Sequence, residues 1–215
     1  MKKNVLISAA SALMLGALGA NAASLQIIDG TAAAIPQGAS NELLATLGLS
    51  SSLEGYTDSY ILLDGTAQIL VEYFGKEAGY TNSFTLDGQT LTTGANATTA
   101  VPLSSFLTGP LSGIIDFRFD VNNYEFITSV INGSANENVG TSPNFFASVV
   151  GNATGTSGSS IWLFLDDGGG FNDDDFDDMA IRLTAVAAVP APPAIWLLGT
   201  AVAGLAFRRY RSAKA

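Results

Sequence analysis

The densest group of side chains that could do chemistry lies between residues 166 and 178 of this 215-residue chain. Seven of these 13 residues are aspartate, three are glycine and one is asparagine. Crowded carboxylates repel one another, and a hard cation such as Ca²⁺, which binds roughly six to eight oxygen ligands, relieves that repulsion. Glycine also lets backbone carbonyls turn inward as further ligands. The segment therefore predicts a calcium site.

Two phenylalanines in this segment indicate which residues would bind the ion. We expect the rings of Phe171 and Phe176 to turn inward as plugs, which leaves the intervening oxygen-bearing side chains to face the cation. The predicted direct ligands are Asp167, Asn172, Asp173, Asp175 and Asp177. Asp178 could instead pair with Arg182, four residues further along, although strand geometry would put both on one face rather than in contact.

The known calcium-loop templates do not fit this segment. Asp173, Asp175 and Asp177 have the spacing that begins an EF-hand loop, but Asp178 replaces its required glycine and Thr184 its glutamate. The alternative interpretation is a solvated acidic turn in which some aspartates cap backbone amides. The sequence leaves both interpretations open.

Composition excludes several functional classes. The chain has no cysteine and no histidine, which excludes disulfides, thiolate nucleophiles, cysteine zinc sites and Ser-His-Asp catalysis. It has 19 acidic and nine basic residues, and a formal charge of −10 argues against nucleic-acid binding. Six of the nine basic residues lie at the two ends, so residues 23–188 hold only Lys76, Arg118 and Arg182 against all 19 acids. We expect a protein that is not an enzyme.

The middle of the chain, residues 23–188, has the pattern of an all-β domain. Apolar and polar residues alternate over residues 115–121, as in a half-buried strand. Asp87-Gly88 and Asp64-Gly65 each predict a hairpin turn, and residues 41–47 predict one short helix that ends at Gly48. Short strands with Gly, Ser, Thr and Asn turns favour a β-sandwich or jelly roll. Apolar strand-like stretches on both sides of the acidic segment predict that it is a long hairpin loop at the end of a sheet.

The N-terminus has the three parts of a secretory signal. Lys2 and Lys3 precede an uncharged stretch over residues 5–20, and Ala20-Asn21-Ala22 supplies the small residues that signal peptidase recognises. Residues 1–22 are therefore predicted to be a signal peptide that is cleaved after Ala22.

The C-terminus has a second apolar stretch, over residues 194–207, followed by Arg208, Arg209, Arg211 and Lys214. Counted back to Ala185, the uncharged stretch has 23 residues, which is enough for a transmembrane helix. The basic tail would stay in the cytoplasm by the positive-inside rule, so both ends predict the same topology.

A proline-rich string, Val189-Pro190-Ala191-Pro192-Pro193-Ala194, precedes this apolar stretch. Proline motif, short span with Trp196 and Gly199, and arginine cluster together resemble the PEP-CTERM sorting signal in its VPLPA-type variant, over residues 189–215. Ala191 stands where leucine is frequent in that signal, and Pro193 where alanine is frequent. The residues predicted to form the sorting motif are Val189, Pro190, Pro192, Pro193, Ala194, Arg208 and Arg209.

The resemblance implies export across the inner membrane of a Gram-negative bacterium, with a transient inner-membrane anchor and processing by an exosortase. It also implies a final location at the cell surface or outside the cell, beside extracellular polysaccharide. Residues 75–84 (GKEAGYTNSF) and the DDG and DDDFDDM strings of the acidic segment are similar to stretches of exported surface proteins, and the acidic stretch is suspected there of binding calcium.

Three functions fit these patterns. The first is a non-enzymatic surface or matrix protein associated with exopolysaccharide or a biofilm. The second is a calcium-assisted carbohydrate-binding module, which would need exposed aromatic rings near the acidic loop. The third is a glycan hydrolase, for which two carboxylates suffice, although acids crowded in one loop are not a pair held at a fixed separation.

Overall fold

The computed structural model describes residues 22–35, 42–94, 97–123, 127–133, 142–168 and 175–187. Within these ranges the chain forms fourteen β-strands and one short helix, α1 (Glu42–Thr46). The strands are β1 (Ser24–Ile28), β2 (Thr31–Ala34), β3 (Glu54–Thr57), β4 (Tyr60–Lys76), β5 (Thr81–Leu86), β6 (Gln89–Thr92), β7 (Ala97–Thr98), β8 (Ser104–Ile114), β9 (Phe117–Asn122), β10 (Ile127–Ile131), β11 (Asn144–Val149), β12 (Ser157–Gly158), β13 (Ser160–Asp166) and β14 (Met179–Val186). The all-β prediction is confirmed.

The strands form two antiparallel sheets. The larger has ten strands in the order β12-β1-β4-β14-β13-β11-β3-β2, with β7 and β8 also paired to β4. The smaller has four strands in the order β10-β9-β5-β6. In β5 and β9 buried and more exposed residues alternate, as period-2 patterning requires of a strand with one covered face.

One apolar core joins the two sheets. Side chains of β4, β11, β13 and β14 in the larger sheet pack with those of β5 and β9 in the smaller one. Aromatic rings lie at this contact: the ring of Phe145 is 5.3 Å from that of Phe117 and 6.1 Å from that of Phe119. The smaller sheet therefore has one face covered by the core and one face toward solvent.

The two Asp-Gly dipeptides have different outcomes. Asp87-Gly88 turns the chain between β5 and β6, with φ of 52° and 71°, as a two-residue hairpin turn requires. The prediction of a hairpin at Asp64-Gly65 is wrong. β4 continues through it as a single 17-residue strand, and Gly65 (φ 89°) lies where the register with β8 shifts. The left-handed glycine thus forms an irregularity within a strand rather than a turn.

Replacing Gly88 by alanine is expected to destabilise the protein by about 1 kcal/mol, because an L-residue is strained at that φ. No atom lies within 4 Å of the added methyl carbon, so the cost is conformational only. Gly79 is the matched control, since its Cβ position is equally open and it has no left-handed φ. Chemical denaturation of both variants measures the difference, and equal midpoints would contradict the assigned turn.

A second apolar cluster lies on the opposite face of the larger sheet. Leu43 and Leu44 of α1 pack there with Trp162, Phe164 and Phe176. The predicted helix is confirmed, and Gly48 follows it with φ 69°. Phe176 belongs to the acidic segment, so this cluster fixes one end of that segment against the sheet.

The last described strand lies before the predicted sorting segment, which begins at Val189. Ala185 and Val186, which the 23-residue uncharged stretch includes, belong to β14 and pair with Ile69 and Gln68. The apolar stretch over residues 194–207 lies outside the described residues, as do residues 1–21 of the signal sequence. Within the described ranges no helix is long and apolar enough to cross a bilayer.

Candidate metal centre

The acidic segment joins two adjacent central strands. β13 and β14 pair antiparallel, with Leu165 opposite Met179 at the end where the segment leaves the sheet. The predicted long hairpin loop is thus found, and a backbone hydrogen bond from Asp178 N to Leu165 O (3.1 Å) closes its base. Phe176 is buried and has φ 56°, so the backbone turns sharply beside the carboxylates.

The described aspartates of this segment are buried. They are Asp166 (1% exposed), Asp167 (6%), Asp175 (3%), Asp177 (5%) and Asp178 (7%). Charged carboxylates are almost never fully buried unless they are paired or coordinate a metal. A solvated acidic turn would leave these groups in water, so their burial favours the cation-site interpretation.

Hydrogen bonds tie the two ends of the loop together. The backbone N–H of Asp167 donates to Asp178 Oδ2 (2.7 Å). The side-chain amide of Asn82 donates to Asp167 Oδ2 (2.8 Å) and to the carbonyl of Asp178 (3.2 Å). Asn82 is fully buried on β5, so the loop is held to the smaller sheet as well as to its own strands.

Residues 76–82 complete the walls of this cluster. The backbone N–H of Glu77 donates to the carbonyl of Asp177 (3.0 Å), and the carboxyl groups of the same two residues share a hydrogen bond. The buried Lys76 donates from Nζ to the carbonyl of Tyr80 and lies within electrostatic range of Asp167 and Asp178. We refer to Lys76, Glu77, Asn82 and the five aspartates as the acid cluster.

Burial raises the pKa of two of these carboxyls. For Asp177 the pKa rises to about 9, first through desolvation and then through the hydrogen bond to Glu77 and the charge of Asp175. For Asp178 it rises to about 8, through desolvation and the charge of Asp167, partly offset by the Asp167 N–H bond. Desolvation lowers the pKa of Lys76 against the opposing pull of Asp167 and Asp178. The metal-free cluster therefore retains protons at neutral pH.

Asn82 has a polar atom that the described residues leave unsatisfied. Its amide nitrogen contacts two members of the cluster, but its Oδ1 is buried and lacks a hydrogen-bond partner within the described part of the chain. Burying an amide oxygen without a partner costs about 1–3 kcal/mol. An oxygen of this kind, beside carboxylates, is a chemically suitable ligand for calcium.

The five predicted ligands divide into two groups. Asp167, Asp175 and Asp177 belong to the cluster, whereas Asn172 and Asp173 lie outside the described residues. In the part of the chain that the structure describes, no group of three or more acidic side chains is placed so that it could hold a metal ion. A cation would thus need additional oxygens or a rearrangement of the carboxyls.

The predicted pairing of Asp178 with Arg182 is wrong. Arg182 Nε donates to Glu72 Oε2 (2.8 Å) on β4, the strand next to β14, and its guanidinium covers the rings of Phe74 and Trp162. Cross-strand neighbours are closer than residues four apart along an extended strand. Asp178 instead accepts the Asp167 N–H.

The sequence did not identify Lys76, Glu77 and Asn82 as cluster residues, because they lie about 90 positions before the loop. The signal that could have found them is the GKEAGYTNSF string of residues 75–84, which contains all three. The proline and arginine residues of the sorting motif lie outside the described residues. No protein-family model, curated protein or solved structure matches this chain.

Proposed function

We propose that this chain is an exported cell-surface or extracellular-matrix protein whose all-β domain is stabilised by Ca²⁺ at the acid cluster. The observation that carries the calcium assignment is the burial of five aspartates at one end of the sheet. We interpret the two stacked sheets as a β-sandwich. The domain acts without catalysis, in association with exopolysaccharide or a biofilm.

The chemistry of the cluster suits a hard divalent cation. Asp167, Asp175 and Asp177 offer carboxylate oxygens, and Asn82 offers a buried amide oxygen. Asn172, Asp173 and loop carbonyls would supply the remaining ligands. Because ligands must be deprotonated, binding would release the protons that Asp177 and Asp178 hold in the metal-free protein.

Export and sorting rest on the two termini. The similarity of residues 189–215 to the PEP-CTERM signal supports recognition by an exosortase while the apolar stretch holds the protein in the inner membrane. Prolines at the membrane surface keep the backbone extended and accessible to a protease. Signal peptidase would remove residues 1–22 first.

Expression of the full chain in a Gram-negative host that encodes an exosortase is expected to yield a surface species without residues 1–22 and with an end between Pro190 and Pro193. Intact-mass spectrometry of the recovered protein measures both ends. The same host without its exosortase is the control and should retain the basic tail. Surface protein that still carries residues 208–215 in the exosortase-positive host would contradict processing.

The carbohydrate-binding alternative predicts exposed aromatic rings beside the acid cluster. Trp162 and Tyr73 are buried, and Tyr56 uses its hydroxyl to bond the carbonyl of Thr154. Among the described residues, Tyr80 lies beside the cluster and is 37% exposed. The arrangement does not favour an aromatic platform at this site. The described aspartates of the loop are also buried, which does not favour the hydrolase alternative.

A further inference from the structure

The solvent face of the smaller sheet carries two adjoining grooves. One has a volume of about 440 Å³ and the other about 460 Å³, and both are lined by Arg118 of β9. The first is bounded by the Asp87-Gly88 turn and Asp116, and the second crosses β5, β9 and β10. Together they form one trough along the sheet, which we call the outer trough.

Hydroxyl and charged groups line the outer trough. Thr81, Ser83 and Thr92 contribute hydroxyls from β5 and β6. At its centre Asp120 accepts hydrogen bonds from Arg118 Nε (2.9 Å) and from the hydroxyl of Ser129. A carboxylate has about four acceptor positions and a guanidinium five N–H donors, so both groups keep capacity for a ligand. Arg118 is half exposed, as the salt bridge leaves it open to solvent.

One side of the outer trough is apolar. Ile127 and Ile131 lie on the outer strand β10 and are 67% and 40% exposed, although both are large apolar residues. A sugar ring has hydroxyls on its edge and C–H groups on its faces, so it needs hydrogen-bonding groups with an apolar surface beside them. The described lining residues have this combination.

Charge narrows the choice of ligand. Asp87, Asp116 and Asp120 line the trough against one guanidinium, so it carries an excess of negative charge. A polymer with carboxylate or sulfate groups would be repelled. A protein partner is also disfavoured, because the centres of protein interfaces are poor in aspartate.

We propose that the outer trough binds a neutral, hydroxyl-rich polysaccharide chain, with Asp120, Arg118 and Ser129 as its central hydrogen-bonding groups and Ile127 and Ile131 as an apolar shelf. The inference deepens the proposed function, since it rests on the association with exopolysaccharide and assigns it to the smaller sheet. Asn82 connects this sheet to the acid cluster, because Asn82 lies between the trough residues Thr81 and Ser83 on β5.

Isothermal titration calorimetry of the full chain in detergent against neutral hexaoses tests the proposal. The probes are α- and β-linked hexamers of glucose, mannose and galactose, with an alginate hexamer as the anionic probe. We expect millimolar or tighter binding of at least one neutral hexaose and at least tenfold weaker binding of the alginate. Asp120→Asn and Arg118→Gln should each weaken the neutral hexaose at least tenfold, whereas Asp64→Asn on the larger sheet should not.

Binding of none of the neutral hexaoses would overturn the proposal, as would preferential binding of alginate. Equal affinity in Asp120→Asn and wild type would overturn the placement in the outer trough. Concentration-dependent self-association that Ile127→Ser abolishes, without hexaose binding, would show that the face binds a second copy of this chain instead. None of these results would contradict the proposed export, because export is tested separately by intact-mass spectrometry of the surface protein.

Discussion

Millimolar Ca²⁺ is expected to raise the melting temperature of this protein by about 5–10 °C relative to EDTA. A ligand that binds only the native state stabilises it by about 2.7 kcal/mol at 100 times its dissociation constant, and about 1 kcal/mol corresponds to roughly 2–4 °C for a domain of this size. The physical cause is coordination of the ion by the buried side chains of Asp167, Asp175 and Asp177, the last of which gives up its proton. Differential scanning calorimetry in Ca²⁺ and in EDTA measures the shift.

Asp177→Asn separates calcium binding from general stability. The metal-free protein already holds Asp177 protonated, because its pKa is about 9, so the neutral amide should cost little in EDTA. It removes a ligand, and we expect it to lose most of the calcium shift. Asp64→Asn, at an exposed site on β4, is the matched control and should keep the whole shift.

Two results would contradict the calcium centre. Equal melting temperatures of the wild-type protein in Ca²⁺ and EDTA would exclude binding to the native state. The same calcium shift in wild type and Asp177→Asn would place the ion elsewhere. Mg²⁺ should give a smaller shift than Ca²⁺, since Mg²⁺ demands near-octahedral geometry and loses its water reluctantly.

Local sequence patterns predict where strands lie, but they do not predict which strands pair with one another. Alternation over residues 115–121 predicts the strand that the structure has as β9. The dipeptides Asp87-Gly88 and Asp64-Gly65 are identical, yet only the first is a turn. The second lies in a strand that pairs with β1 and β8, and β8 begins 40 residues after Asp64. A two-residue signal carries no information on such distant pairing.

The acid cluster, too, could be predicted from the sequence only in part. The acidic loop is contiguous in the sequence, so its aspartates are visible as a group. The burial of these aspartates cannot be read from the sequence. It depends on Phe176, which packs with α1, and on Asn82 of the other sheet, which lies 85 positions from Asp167. Burial changes the chemistry of the loop, since it replaces mutual repulsion in water by protonation of Asp177 and Asp178.

That protonation predicts an unusual pH dependence of the metal-free protein. An aspartate has a pKa near 3.9 in the unfolded chain, whereas Asp177 and Asp178 have pKa values of about 9 and about 8 in the folded protein. At pH values between the unfolded and the folded pKa, the native state binds more protons than the unfolded state. The free energy of unfolding in EDTA should therefore fall as pH rises, by up to about 1.4 kcal/mol per pH unit for each proton retained.

We expect a loss of at least about 3 kcal/mol between pH 5 and pH 8 in EDTA, measured by urea denaturation at constant ionic strength. Lys76 opposes this trend, because its lowered pKa lets the folded protein release a proton before the unfolded chain does. Asp64→Asn, a substitution outside the acid cluster, is the control variant.

The double variant Asp177→Asn/Asp178→Asn should flatten the slope in EDTA, since neither amide titrates, and should be more stable than wild type at pH 8. Saturating Ca²⁺ should reverse the slope of the wild-type protein, because protons compete with the ion for the same oxygens. The pH slopes in EDTA and in saturating Ca²⁺ should therefore have opposite signs, and both should depend on the same carboxyl groups. A wild-type stability in EDTA that rises from pH 5 to pH 8 would mean that these carboxyls are ionised in the folded protein, and the buried acid cluster would have to be discarded.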